Sequence, residues 1–193
     1  MSGADRADAR PVAGIERVML QFGETMRADL VIGRVAGVDA RFSDPEVFGA
    51  AARALVRRYA ILRARVEGQP PARFVCAAAD AIEVEAEVRV AATANEWQRA
   101  AVRETTRAFD LESGRRAPCR FLLLCGPVPG EGHVMISAPH AIVDGRSLMR
   151  LLSDLLSSWV AAAAGEAASV ESLPITPAAY ALVRRPLVYK LAE

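Results

Sequence analysis

The chain has 193 residues, 52% of them hydrophobic and 24% charged, with a net charge of +1. This is the composition of a folded globular domain with one real core. The near-neutral balance, with no Lys/Arg-rich run interleaved with aromatics, argues against nucleic acid as a partner. No segment approaches the ~20 consecutive apolar residues that a membrane span needs. All basic residues except Lys190 are arginine, a bias read as coding composition. Cys76, Cys119 and Cys125 are odd in number and lack Cys-x-x-Cys spacing, so free thiols in a reducing compartment are expected. The first residues lack the apolar core of a signal peptide, and a cytoplasmic location is the default expectation.

In chain order, residues 1–11 are small, charged and aperiodic, which predicts a disordered tail. Between Ile15 and Phe22 the pattern allows either a helix or a strand. Leu30 to Val38 is β-rich, with Gly33 and Gly37 hinting at a bulge or a close approach. Ser43-Asp44-Pro45-Glu46 combines a capping residue, a proline suited to the first turn and a Glu three after the Ser, a good helix start. Phe48, Ala51, Ala52, Leu55, Val56 and Tyr59 form one apolar face, and the helix should end near Tyr59-Ala60. Gly68-Gln69-Pro70-Pro71 is a turn.

Arg73–Ala77 and Ile82–Val90 read as strands. The second alternates Glu83, Glu85, Glu87 and Arg89 with apolar residues, so one face should be wet. The spacing of Trp97, Ala101, Val102, Thr105 and Phe109 predicts a helix over 95–109. Pro118–Cys125 is a strand whose continuous Leu122-Leu123-Leu124 predicts burial on both faces. Gly126 to Gly130 turns it into a hairpin with the strand that follows.

That next strand leads into the stretch richest in chemistry. Val134, Ile136 and Ala138 alternate with His133, Met135 and Ser137. A loop carries His140, Asp144 and Gly145, and Leu148, Met149, Leu152, Leu155, Leu156, Trp159 and Val160 then recur at helical spacing. Residues 166–193 have linker composition followed by helix-compatible spacing that wants a partner. The domain proper is expected over 12–165.

An imidazole near its unperturbed pKa of ~6.5 suits a general base, which makes His140 the best-placed proton-transfer group. The residues alone equally allow a structural histidine anchoring a turn. Asp144, just before a helix, reads either as part of a site or as a plain turn and N-cap. His133 offers no obvious third ligand, so no metal site is expected. Gly-x-Ser-x-Gly is absent, as is any phosphate-binding glycine loop.

Pro139-His140-Ala141-Ile142-Val143-Asp144-Gly145 resembles the His-His-x-x-x-Asp-Gly motif of the condensation-domain and acyltransferase superfamily. Two further blocks agree in order. Arg57-Arg58-Tyr59-Ala60-Ile61-Leu62-Arg63 is similar to the family's Arg-His-Pro-x-Leu-Arg stretch. Ala108-Phe109-Asp110-Leu111, ahead of Arg116 to Leu123, is similar to its Phe-Asp-Leu block. The resemblance covers about 20–165. It implies a chloramphenicol-acetyltransferase-like fold, an α/β chain of the α+β two-layer sandwich kind with a mixed sheet packed on helices.

The resemblance also implies acyl transfer in polyketide, lipid or nonribosomal peptide biosynthesis. His140 matches the catalytic histidine, which deprotonates an acceptor hydroxyl or amine. The acceptor attacks the thioester of acyl-CoA or of an acyl-carrier protein's phosphopantetheine, and no bound cofactor is implied. The motif aspartate is structural in the family, which implies a pairing of Asp144 with Arg63, and Gly145 would let the backbone lie close to the reacting carbonyl. Pro139 replaces the first histidine, and Tyr59-Ala60 replaces His-Pro.

Family members are about twice this length, with two similar halves and a tunnel between them. The resemblance is to the N-terminal half only. A second half-domain, in cis, as a separate chain or as a second copy in a homodimer, is therefore an expected partner, with an acyl carrier protein another. The alternative reading is a non-catalytic module of the same fold that docks a carrier protein or a partner.

Overall fold

The computed structural model describes residues 9–26, 30–68, 72–166 and 172–175. Among them are two sheets and four α-helices. Strands β1 (Ala9–Pro11), β3 (Ala64–Glu67) and β4 (Arg73–Cys76) form an antiparallel sheet in the order β1-β4-β3. Strands β2 (Val31–Asp39), β5 (Glu83–Val90), β6 (Arg116–Cys125) and β7 (Glu131–Pro139) form the larger sheet in the order β2-β7-β6-β5. In it β5 runs parallel to β6 and the other pairs are antiparallel, so the sheet is mixed as expected. The helices are α1 (Ile15–Met26), α2 (Pro45–Arg58), α3 (Glu96–Thr106) and α4 (Gly145–Ala163).

The hairpin of β6 and β7 supplies the central strands, and its residues divide between the two faces by period two. Phe121, Leu123, Val134 and Ile136 join Phe48, Leu55, Leu148, Leu155 and Trp159 of α2 and α4 in the main core. Leu122, Leu124 and Met135 point the other way and meet Trp97, Ala100 and Ala101 of α3. Leu122, Leu123 and Leu124 are thus buried on both faces. Phe48 and Trp159 meet edge-on, with ring centroids 5.7 Å apart, which ties α2 to α4.

Four details differ from the sequence reading. The tail is shorter, because Ala9–Pro11 pairs with Arg73–Val75; residues 1–8 lie outside the described ones. The cap of α2 is Asp44 rather than Ser43, its carboxylate accepting from the Glu46 amide at 2.7 Å. Helix α3 ends at Thr106, and Phe109, expected as its last apolar residue, instead lies over the Arg120 guanidinium at 3.7 Å. The segment left open between helix and strand is helix α1. Its Ile15, Val18 and Phe22 share one exposed face, while Leu20 packs on the core from another side. Of the turn at 68–71, residues 69–71 lie outside the described ones. The segment 166–193 is described only at Glu166 and over 172–175, where Leu173 bridges to Tyr59.

Close approach explains one glycine. A Cβ on Gly132 would stand 2.6 Å from the Ala40 Cβ and 3.1 Å from the Leu124 carbonyl oxygen. Gly132→Ala is expected to lower stability by about 1–3 kcal/mol through overpacking, read as a lower urea midpoint. An unchanged midpoint would show that this end of the hairpin gives way freely.

Candidate functional site

Strand β7 delivers His140 to the end of the larger sheet, and the loop that follows is closed by its own backbone. The His140 amide donates to the Leu30 carbonyl at 2.7 Å, extending the β2–β7 pairing by one bond. The Ile142 and Val143 amides both turn back on the Pro139 carbonyl, at 3.1 and 3.4 Å. Within this turn Nδ1 of His140 lies 3.0 Å from the Val143 carbonyl oxygen. A carbonyl only accepts, so Nδ1 carries the proton, and in the neutral ring Nε2 is left as an acceptor. The imidazole is half-buried and lines an open cleft of about 460 Å³.

The cleft lies between α1, the turn after α2 and the start of α4. Ile15, Met19, Ile61, Ile142 and Leu151 give it an apolar wall, and Arg10, Glu16, Asp144, Arg146 and Arg150 add charge. Arg10 is itself fixed, by a two-pronged pair with Glu16 at 2.6 and 2.7 Å and by lying over the Phe74 ring at 4.9 Å. Tyr59, on the same cleft, donates its hydroxyl to the Asp154 carboxylate, which also pairs with Arg150 at 3.0 Å. Burial raises the Tyr59 phenol above its ordinary value, and the neighbouring Asp154 carboxylate adds to this.

Asp144 sits at the N-cap of α4 and accepts from the Ser147 amide at 2.7 Å. The Ser147 amide, then the Ser147 hydroxyl, hold its carboxyl below the usual carboxylate range. A cap of this kind contributes about 1 kcal/mol, so Asp144→Ala is expected to lose that much at neutral pH. The sign with pH follows from the depressed folded value. The stabilisation is complete above the unfolded carboxyl pKa of ~3.9 and is lost as pH falls through the lower folded pKa. Urea titrations from pH 7 to 2 should therefore show wild type and variant converging in acid; a constant gap would point to another cause.

The implied pairing of Asp144 with Arg63 is not formed. Arg63 is buried and donates to the carbonyls of Ala77, Val56 and Arg57 at 3.0, 2.9 and 2.6 Å. Two of these close the last turn of α2, where carbonyls lack helical partners and a cation is favoured. Each charge is thus satisfied at a helix end, Asp144 at the start of α4 and Arg63 at the end of α2. Gly145 and Arg63 are not among the residues lining the cleft. Nor does the chain's own packing demand glycine at 145, since a Cβ there would meet only the Arg34 guanidinium at 3.4 Å.

His133 lies roughly 20 Å from His140 along β7. Its ring stacks on Trp97, with centroids 5.0 Å apart and planes 16° from parallel. Tyr59, Arg150 and Met19 line the cleft without a prior reading as site residues, and Asp154 holds the first two from behind. The i, i+4 spacing of Arg150 and Asp154 was a legible signal for that pair. Nothing local linked Tyr59 to a residue 95 positions away.

No protein-family model matches the chain. Over 86 residues, 44% of its length, it is 36% identical to a probable nonribosomal peptide synthetase, CymA, of Salinispora arenicola (strain CNS-205), and it spans 1% of that protein. Among solved structures it resembles the X-domain from teicoplanin biosynthesis, with a TM-score of 0.66 and 20% identity over 85% of this chain and 34% of that one. It likewise resembles the starter condensation domain of rhizomide synthetase RzmA, with a TM-score of 0.67 and 14% identity over 84% of this chain and 41% of that one. Among the described residues no helix is long and apolar enough to cross a membrane. The chain thus carries the chloramphenicol-acetyltransferase-like fold of condensation domains, and it spans 34 to 41% of the length of these solved relatives.

Proposed function

We propose that this chain is the His-bearing half of a condensation-type acyltransferase of nonribosomal peptide or related biosynthesis. His140 accepts a proton from an acceptor amine or hydroxyl as the acceptor's lone pair attacks the acyl carbonyl, and the donor sulfur leaves as a thiolate with the electrons of the C–S bond and takes that proton back from the imidazolium. The observation that carries this reading is the half-buried His140 ring. Its Nδ1 is committed to the Val143 carbonyl, and it borders a cleft wide enough for a substrate. A ring held this way leaves Nε2 as its free acceptor in a fixed orientation, which is what general-base catalysis needs. Acyl-CoA and a carrier protein's phosphopantetheine thioester are the donor classes that fit. A second half-domain would complete the cleft. The direct test incubates the chain, together with such a half, with an acyl thioester and an amine or alcohol acceptor, and follows release of free thiol.

One observation favours a second reading, a module that docks a partner. An X-domain from teicoplanin biosynthesis, similar to this chain with a TM-score of 0.61 and 23% identity over 75% of this chain and 30% of that one, was solved in complex with OxyB. In this chain the buried Pro139 occupies the place of the motif's first histidine. Docking predicts partner binding that survives loss of the imidazole and no thiol release from any thioester.

A further inference from the structure

On the face of the larger sheet that α3 covers, one row of paired residues runs from Gly33 through Ser137 and Arg120 to Glu85. Residues opposite one another on neighbouring strands share a face, so these four stand side by side. Over Gly33 the space is taken, since a Cβ there would stand 3.0 Å from both the Met135 Cε and the Thr105 Cγ2 of α3. Over Ser137 a pocket of about 10 Å³ remains. Leu122 and Met135 give it apolar walls, and Ser137, Glu104 and Arg120 give it buried polar ones.

Ser137 is 1% exposed, and among the described residues nothing hydrogen-bonds to its Oγ. A buried hydroxyl left without a partner is costly, and native folds meet such groups with protein atoms or ordered water. Arg120 cannot be the partner. Each of its guanidinium nitrogens already donates, to the Glu104 carboxylate or to the carbonyls of Glu104, Arg107 and Ala108. The Glu104 carboxylate, by contrast, has lone pairs to spare, since such a group accepts up to about four hydrogen bonds.

The volume is about that of one water-sized sphere, so a single small molecule or ion is all that fits. Charge decides which. Glu85 and Glu87 also line the pocket, and every carboxylate in it already carries a guanidinium. Glu104 holds that of Arg120 at 2.8 Å, Glu85 that of Arg107 and Glu87 that of Arg89. With the negative charge matched pair by pair, a cation would lose its hydration without compensation. Among the described residues, moreover, no group of three or more His, Cys, Asp or Glu side chains is suited to a metal. A neutral molecule that both donates and accepts is what the lining asks for.

We propose that one water molecule is a fixed part of this pocket, donating to the Glu104 carboxylate and hydrogen-bonded to the Ser137 hydroxyl. It ties β7 to α3 and to the buried Arg120–Glu104 pair, three residues before His140. The site is independent of the acyl-transfer reading.

The test compares the full chain as wild type, Ser137→Ala and Ser137→Val, by urea unfolding and by high-resolution crystallography. The water decides the sign of the Ser137→Ala effect. With it, the substitution removes a satisfied hydroxyl, and the folded-to-unfolded ratio falls about fivefold, the worth of one hydrogen bond. Without it, the substitution relieves an unpaired hydroxyl, and the ratio rises. The wild-type crystal shows a density peak within about 3.2 Å of Ser137 Oγ and of a Glu104 carboxylate oxygen. Ser137→Val, whose methyls fill the site, shows none. A ratio that holds or rises in Ser137→Ala, a wild-type pocket without the peak, or a peak that persists in Ser137→Val overturns the proposal. So does a peak with several oxygens at about 2.4 Å, which would be a metal ion.

Discussion

Replacing His140 by alanine is expected to slow acyl transfer by a factor of about 10²–10⁴ while the domain stays folded. The rate effect follows from the job given to the ring. Without a base, the acceptor must lose its proton to water, and no other side chain of the β7–α4 loop replaces Nε2. Asp144 is spent on the Ser147 amide, and Ser147 lies on α4 beyond it. The fold should survive because the ring makes one hydrogen bond, to the Val143 carbonyl, and is only half-buried. Losing that bond costs about 1 kcal/mol. The backbone bonds that shape the loop, His140 to Leu30 and Ile142 and Val143 to Pro139, involve no side chain. The measurement is thiol release with the second half supplied, alongside a thermal melt. A variant that melts like wild type and turns over within about threefold of it removes His140 from the chemistry.

Arg120→Ala is expected to be the most damaging single substitution for stability, at about 3–5 kcal/mol. Arg120 is buried on β6 and pairs with the equally buried Glu104 of α3 at 2.8 Å. Its remaining donors reach the carbonyls of Glu104, Arg107 and Ala108 at 2.8, 2.7 and 3.2 Å, closing the end of α3 where the helix leaves them unpaired. The Phe109 ring covers the guanidinium from the other side. Removing it leaves the buried carboxylate with the more distant Arg107, at 3.8 Å, and strands three carbonyls. Arg120 pairs in register with Ser137 of β7, three residues before His140, so the loss also loosens the strand that delivers the imidazole. Urea unfolding of Arg120→Ala, Glu104→Gln and the double variant checks this. The double variant should recover part of the loss, because the uncompensated charge is gone while the carbonyls remain unpaired. Equal effects in the single and double variants would mean that the ion pair is not the source of the stability.

The strands β5, β6 and β7 and the helices α2 and α4 were legible in the sequence. A strand's alternation, a helix's spacing and the Asp-Pro start of α2 are set by residues within a few positions of one another. The motif around His140 was legible for the same reason, and with it the fold that the solved relatives share. The partners of the charged groups were not. Arg63 and Asp144 each found a helix end nearby rather than one another, and Phe109 left its helix to cover Arg120. The Tyr59–Asp154 contact, and the cleft beside His140, exist only once α1, α2 and α4 converge on one loop. Periodicity and capping act along the chain, so the amino-acid order alone determined that these five segments are strand or helix and that the imidazole follows β7. Which polar atoms meet, and where space is left between apolar walls, depends on segments distant in sequence, and only the packed tertiary structure decided it.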